Sequence, residues 1–339
     1  MASASIPPWL QMGNIERNAR HVMKPLGLRL LSDIHPIWAQ ENFADQELFA
    51  TLLQPIRLAS KFVKTPAFEH FCHGVLFGVQ EEINNEQTTN PKCSSRKQLR
   101  CVHLGIDDLD HTARQAVNAQ LLLVASQVGH WSAPMAHNDL AECDAMPTCL
   151  KEHMARGSII TYSHTMPGEL INGGLTQDER RVEIVHKAFI LLHEFAHALY
   201  AWRFGHDNEG FFEGSTVAEA GFELEARLVG GVPCIRTSRH GRRYLVVDEW
   251  PSVTVMEGYD LPSFCIRPRE LPVGHSAKEW KVPIPFIRGL MDDEYWDDTD
   301  KASIATSLIS EPLANTVRAC LNARCLAPPV PESIAALFA

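Results

Sequence analysis

The stretch TQDERRVEIVHKAFILLHEFAHALYAWRFG, residues 176–205, decides the interpretation of this chain. Asp178 and Glu179 lie where the first turn of a helix favours negative charge, and Gly205 is a residue at which helices commonly end. Between them, apolar residues recur at spacings of three and four, which is typical of a helix packed against a core. These residues are Val182, Val185, Phe189, Leu192, Ala196 and Leu199. The sequence therefore predicts one long helix from about Thr176 to Phe204.

A second line of residues runs beside this apolar stripe and contains His186, Ile190, His193 and His197. Residues 193–197 read HEFAH, an HExxH motif whose two imidazoles lie one helical turn apart on the same face and can hold one metal ion. Glu194 projects about 100° away, where it can reach a metal-bound water without binding the metal. We expect a metal site in an interior cleft. The alternative is two core histidines satisfied by hydrogen bonds.

Two histidines leave zinc under-coordinated, so a third protein ligand is required. The extended pattern HExxHxxGxxH would place glycine at position 200 and histidine at position 203. The chain has Tyr200 and Arg203 there, so the third ligand must come from elsewhere.

A second helix, predicted from about Thr216 to Val229, supplies candidates. Glu219 and Glu223 are spaced i, i+4, so one carboxylate could bind the metal while the other accepts the N–H of a ligating imidazole. The alternative is that Thr216 caps this helix, Glu219 completes a capping box and Glu223 is solvated.

Three other acidic residues lie in or near this helix. Glu209 and Glu213, in the connecting loop, are alternative third ligands. Glu225 is predicted to lie on a different face, as a surface charge or a partner of Arg227.

HEFAH followed by a helix bearing ExxxE resembles the gluzincin branch of zinc metallopeptidases. The resemblance covers about residues 158–230. It implies zinc as the cofactor, Glu219 as the third ligand, and Glu223 in the orienting position that an aspartate has in the family. It also implies a zincin-like core in which residues 157–163 resemble the edge strand laid along an extended peptide substrate.

The mechanism expected from such a site uses a zinc-activated water with Glu194 as the general base. The oxyanion needs a further donor besides the metal. His240, Tyr244 and Tyr259, all downstream, are candidates among which the sequence does not choose.

Composition describes an ordinary globular protein and excludes several classes of function. The 339 residues carry a formal net charge of −10, which argues against nucleic acid or an anionic membrane as partner. The most apolar stretch, Ala116 to Gly129, is too short to span a bilayer, and the N-terminus does not resemble a secretory signal. Nine scattered cysteines suggest a reducing compartment. We therefore expect a cytoplasmic protein.

The predicted fold class is α+β and mainly helical. Residues 1–156 are expected to form a helical N-terminal region, and residues 157–339 a zincin-like catalytic region with a β-rich insertion and a C-terminal helix. The remaining predictions are helices over 42–60 (kinked or split at Pro55), 68–84, 108–128 and 303–322, strands over 98–106 and 157–163, a hairpin within 232–260 and a loop over 134–147.

The leading hypothesis is a zinc-dependent hydrolase, most simply a peptidase. The alternative is an intracellular zinc metalloenzyme that acts on a non-peptide small molecule. A third hypothesis is a non-enzymatic binding protein in which the metal only stabilises the fold. The sequence does not indicate an oligomeric state.

Overall fold

The computed structural model describes residues 33–82, 97–100, 109–135, 140–145, 157–171, 173–206, 209–212, 218–250, 278–297 and 316–317. The helices are α1 (Gln46–Phe62), α2 (Pro66–Phe77), α3 (His111–Ala125), α4 (Thr165–Ile171), α5 (Gln177–Phe204), α6 (Ala220–Val229), α7 (Ile284–Leu290) and α8 (Asp293–Asp297). The strands are β1 (Val79–Glu82), β2 (Lys97–Arg100), β3 (Val128–Ala133), β4 (Ala141–Ala145), β5 (Ser158–Ser163), β6 (Phe211–Phe212), β7 (Val232–Thr237), β8 (Arg243–Asp248), β9 (Lys278–Lys281) and β10 (Thr316–Val317). The predicted α+β class is confirmed.

Helix α5 is the central element, and its bounds match the prediction. Thr176 caps it and forms a capping box with Glu179, while Gly205 ends it with φ of 91°. Every residue of the predicted apolar stripe is buried. Helix α1 packs along α5, and the rings of Phe62 and Phe189 lie 5.0 Å apart. The long helix is thereby held inside the main core, which contains residues from 37 to 291.

The helices before α5 differ from their predictions mainly at their ends. Helix α1 continues through Pro55, so the predicted split does not occur. Helix α2 ends at Phe77, because the chain is extended at Gly78 and then forms β1. Asp110 caps α3 by accepting the backbone N–H of Ala113 at 2.7 Å.

The sheet beside α5 has the order β3-β5-β4, with β3 parallel and β4 antiparallel to β5. β5 therefore lies in the middle of this sheet, whereas the family resemblance implied an edge strand. β4 lies inside the predicted loop over 134–147, so that prediction was wrong. Its sequence, AECDA, lacks β-branched and aromatic residues, and its strand geometry comes from pairing with β5.

The predicted hairpin is confirmed by β7 and β8, which pair antiparallel around a turn that contains Gly241 with φ of 77°. Two further strands extend this sheet in the order β10-β9-β8-β7. β10 falls within the helix predicted over 303–322, and the other residues of that prediction lie outside the described part of the chain. The division of the chain at residue 156 stays a prediction.

Candidate metal centre

Three side chains converge between α5 and the start of α6. Nε2 of His193 and Nε2 of His197 lie 3.3 Å and 2.7 Å from Oε1 of Glu219. One ligand atom from each of these residues lies within 4.8 Å of the others, which is close enough to hold one metal ion. The two imidazoles remain 16% and 24% exposed. The structure thus brings together the two histidines and the carboxylate that the sequence singled out.

Glu219 performs two structural tasks at once. It is the N-cap of α6 in extended conformation, with φ of −155° and ψ of 110°, and its Oε2 accepts the backbone N–H of Phe222. Its Oε1 faces the two imidazoles. The capping and ligand interpretations of Glu219 are therefore compatible, because each uses a different oxygen. Thr216 lies outside the described residues.

Each imidazole is also held on its other side by a separate carboxylate. Nδ1 of His193 lies 3.1 Å from Oε1 of Glu225, and Nδ1 of His197 lies 2.6 Å from Oε1 of Glu209. Donation of the Nδ1 proton to these carboxylates fixes the tautomer in which Nε2 is free to bind a metal. The carboxylates therefore orient both imidazoles toward Glu219.

These contacts correct two predictions about α6. Glu223 does not orient an imidazole, because its carboxylate accepts a hydrogen bond from Arg227 at 2.8 Å. Glu225, predicted to be a surface charge, is 4% exposed and contacts His193. Because Glu219 precedes the helix in extended conformation, the i, i+4 geometry assumed for Glu219 and Glu223 does not apply.

Glu209, named only as an alternative third ligand, instead joins two parts of the centre. One of its oxygens lies against His197, and the other accepts the backbone N–H of Ala220 at 2.8 Å. It thus connects α5 to the first turn of the helix that follows Glu219. Glu213 lies outside the described residues.

The wall behind His193 is formed by the first turn of α6. A Cβ at Gly221 would lie 2.5 Å from three atoms of the His193 ring, so the absent side chain leaves room for the imidazole. The ring of Phe222 contacts His193 edge-on, with centroids 4.7 Å apart. Because Gly221, Phe222 and Glu225 share one face of α6, this face is shaped around His193. The helical spacing of Gly221 and Glu225 could have been recognised in the sequence as a face that carries both a small residue and a carboxylate.

Carboxylates dominate the electrostatics of the centre. Burial alone would lower the pKa of His193, but Glu219 and Glu225 outweigh it and raise this pKa to about 10. The pKa of His197 is likewise raised by Glu209 and Glu219 against the effect of burial. Burial would raise the pKa of Glu219, but the two imidazoles hold it well below its usual range. The surrounding carboxylates therefore stabilise positive charge on the two imidazoles.

Glu194 lies beside the ligands without being one of them. It is buried, and burial raises its pKa, although the two neighbouring histidines oppose the shift. The pKa of Cys143 on β4 is raised by burial and then by Glu194, which places this strand near the centre. Among the described residues β4 is the edge strand of its sheet, and it packs against the helix that carries Glu194.

Two of the three candidate oxyanion donors, His240 and Tyr244, lie in the described part of the chain. His240 is exposed at the hairpin turn and accepts a hydrogen bond from Arg239 at 3.1 Å. The Tyr244 ring lies 4.7 Å from Nζ of Lys281. No hydrogen bond in the described part of the chain joins either residue to the ligand triad, and Tyr259 lies outside that part.

Comparison of the chain with protein-family models, with curated proteins and with solved structures gives no match. Within the described residues, no helix has both the length and the apolar character needed to cross a membrane.

Proposed function

We propose that this protein is a zinc-dependent hydrolase with a zincin-like core, and that it cleaves peptides. One observation carries the proposal: both Nε2 atoms of the HExxH histidines face Oε1 of Glu219, while both Nδ1 atoms are held by other carboxylates. Two imidazoles, one carboxylate and an open fourth position form the ligand set of catalytic rather than structural zinc sites.

The chemistry of the donor set fits zinc. His193, His197 and Glu219 would hold the ion, and Glu225 and Glu209 would keep the imidazoles in the metal-binding tautomer. When bound, zinc lowers the pKa of a coordinated water to about 7 and polarises the substrate carbonyl.

Glu194 would carry the proton during hydrolysis. It follows His193 directly and projects to a neighbouring face of α5, so it is not in line with the two imidazoles. Its carboxylate would accept a proton from the attacking water and give it to the leaving amine. Its raised pKa suits the first half of this task, because a more basic carboxylate accepts the proton from water more readily.

The position of β4 supports a peptide as the substrate. Among the described residues β4 is the edge of its sheet and packs against α5, and Glu194 contributes to the raised pKa of the Cys143 thiol on this strand. An extended peptide can pair with the free edge of a strand. A substrate bound in this way would lie beside the proposed general base.

Metal content tests the first part of the proposal. We expect about one zinc ion per chain in the purified protein by elemental analysis, and none in the double variant His193→Ala/His197→Ala. Full zinc occupancy in the double variant would contradict the assignment.

Glu194→Gln tests the catalytic part. This variant should keep its zinc and its thermal stability, but lose about 10²- to 10⁴-fold in cleavage of a mixed peptide library followed by mass spectrometry. Glu223→Gln is the control, because it removes a nearby carboxylate that binds Arg227. If the wild type holds zinc but cleaves no peptide, a non-peptide substrate replaces the peptide in the proposal.

A further inference from the structure

We infer that Tyr200 is a positioning residue of this metal centre, because its hydroxyl holds the segment from which Glu209 binds His197. The inference rests on the proposed metal site. It assigns a function to a residue that lies outside the HExxH motif and is not one of the three proposed ligands.

Tyr200 lies on α5, three residues after His197, and is 1% exposed. Its hydroxyl accepts the backbone N–H of Gly210 at 2.6 Å and a side-chain N–H of Gln80 at 2.9 Å. The first contact fixes the loop after α5, and the second fixes the hydroxyl against β1. Tyr200 therefore connects the loop to two rigid elements of the fold.

The anchored amide belongs to the residue directly after Glu209. Glu209 lies 2.6 Å from Nδ1 of His197 and accepts the N–H of Ala220 at 2.8 Å. Displacement of Gly210 would therefore move the Glu209 carboxylate. This carboxylate orients His197 and also holds the first turn of α6, which follows Glu219. A shift of a few tenths of an ångström is enough to lengthen both hydrogen bonds.

The ring of Tyr200 has a separate packing role. It lies 4.8 Å from the ring of Phe204 and 6.4 Å from that of Phe212, while Phe212 stacks on Phe71 at 5.3 Å. Phenylalanine at position 200 would keep these contacts and remove only the hydroxyl. The substitution Tyr200→Phe thus isolates the hydrogen bonds from the packing.

The full chain is first freed of metal with a chelator. Its affinity for Zn²⁺ is then measured by competition with a chelator, and the geometry of the site is followed by the visible spectrum of bound Co²⁺. Loss of partners that orient metal ligands typically costs 10- to 100-fold in affinity, so we expect Tyr200→Phe to weaken Zn²⁺ binding about tenfold and to alter the Co²⁺ spectrum. A purely structural role would change neither the bound Co²⁺ spectrum nor the affinity of the folded protein.

Tyr162→Phe is the matched control. Tyr162 is also fully buried, and its hydroxyl bonds to His130 at 2.9 Å rather than to the Glu209 segment. Its Co²⁺ spectrum and Zn²⁺ affinity should equal those of the wild type.

A double-mutant cycle tests the route of the effect. In a Glu209→Gln background, Tyr200→Phe should weaken Zn²⁺ binding by less than twofold, because the carboxylate that it positions is already altered. An equal tenfold loss in both backgrounds, or no loss in the wild-type background, would overturn the inference. Failure of the wild type to bind either metal would instead overturn the proposed function.

Discussion

At the scale of single residues, the proposed metal ligands differ from the groups that orient them. Glu219 offers one oxygen to both imidazoles, whereas Glu225 and Glu209 each bond to one Nδ1 atom. Burial raises the pKa of Glu225 to about 7, and His193 opposes the shift. A buried carboxylate that keeps an imidazole partner is a costly arrangement, and it is explained if it orients His193 toward a metal.

Glu225→Gln should therefore weaken zinc affinity by about 10- to 100-fold, because the amide cannot stabilise the ligating imidazole as a carboxylate does. Glu223→Gln, two residues away on the same helix, loses an ion pair with Arg227 that does not involve either imidazole, and should bind zinc normally. Competition titration with a chelator of known affinity measures both. Equal losses in the two variants would show that general negative charge, and not the contact with His193, matters.

At the scale of elements, the centre depends on how closely α6 approaches α5. Gly221 permits this approach, because a Cβ there would lie 2.5 Å from three atoms of the His193 ring. Glu209 and Glu219 bond to the backbone N–H groups of the same first turn. The start of α6 is thus held by the proposed ligand Glu219 and by Glu209, which orients His197, as well as by its own sequence.

Gly221→Ala should displace the His193 ring or the first turn of α6, and we expect zinc affinity to fall at least tenfold. The backbone is already helical at this position, so alanine by itself favours the helix. Gly168→Ala in α4 is the control, since a Cβ at Gly168 meets no atom within 4 Å. Zinc affinity and the Co²⁺ spectrum report the outcome. Unchanged values for Gly221→Ala would show that His193 is not held by this contact.

At the scale of the whole molecule, a buried histidine joins residues 37–43 to the sheet formed by β3, β5 and β4. His130 on β3 bonds to the carbonyl oxygen of Ile37 and to the hydroxyl of Tyr162, both at 2.9 Å, and stacks on Phe43. Burial lowers the pKa of His130 to about 4, although the hydrogen bond to Ile37 opposes the shift. The imidazole is therefore neutral in the folded protein at neutral pH.

This lowered pKa predicts acid sensitivity. The pKa of His130 is 6.5 in the unfolded chain and about 4 in the folded chain, so between these pH values only the unfolded chain binds the proton. The contribution of neutral His130 to stability is therefore complete above pH 6.5 and is lost as the pH falls toward 4. Through His130, the free energy of unfolding falls by at most about 1.4 kcal/mol for each pH unit. The free energy of unfolding of His130→Asn should approach that of the wild type as the pH falls from 7 to 5. Equal differences between the two proteins at pH 7 and at pH 5 would contradict this prediction.

The sequence alone determined the features that depend on neighbours along the chain. The HExxH spacing placed two imidazoles on one face of α5, because a helix brings residues i and i+4 together whatever surrounds it. The apolar stripe, the acidic first turn and the stop at Gly205 predicted the same helix, and the turn around Gly241 predicted the hairpin. Glu219 was a candidate because it pairs with Glu223 at i, i+4 in the predicted second helix, and because the family resemblance implies it as the third ligand.

Only the tertiary structure decided which groups hold the imidazoles. The sequence pointed to Glu223, because a helix that included Glu219 would put both carboxylates on one face. Capping leaves Glu219 in extended backbone conformation, so this relation is lost and the face bearing Gly221 and Glu225 turns toward His193 instead. Likewise, β4 is a strand because β5 offers it partners, and Glu209 reaches His197 because Tyr200 holds its loop. Contacts between distant segments set these positions, and local spacing carries no information about such contacts.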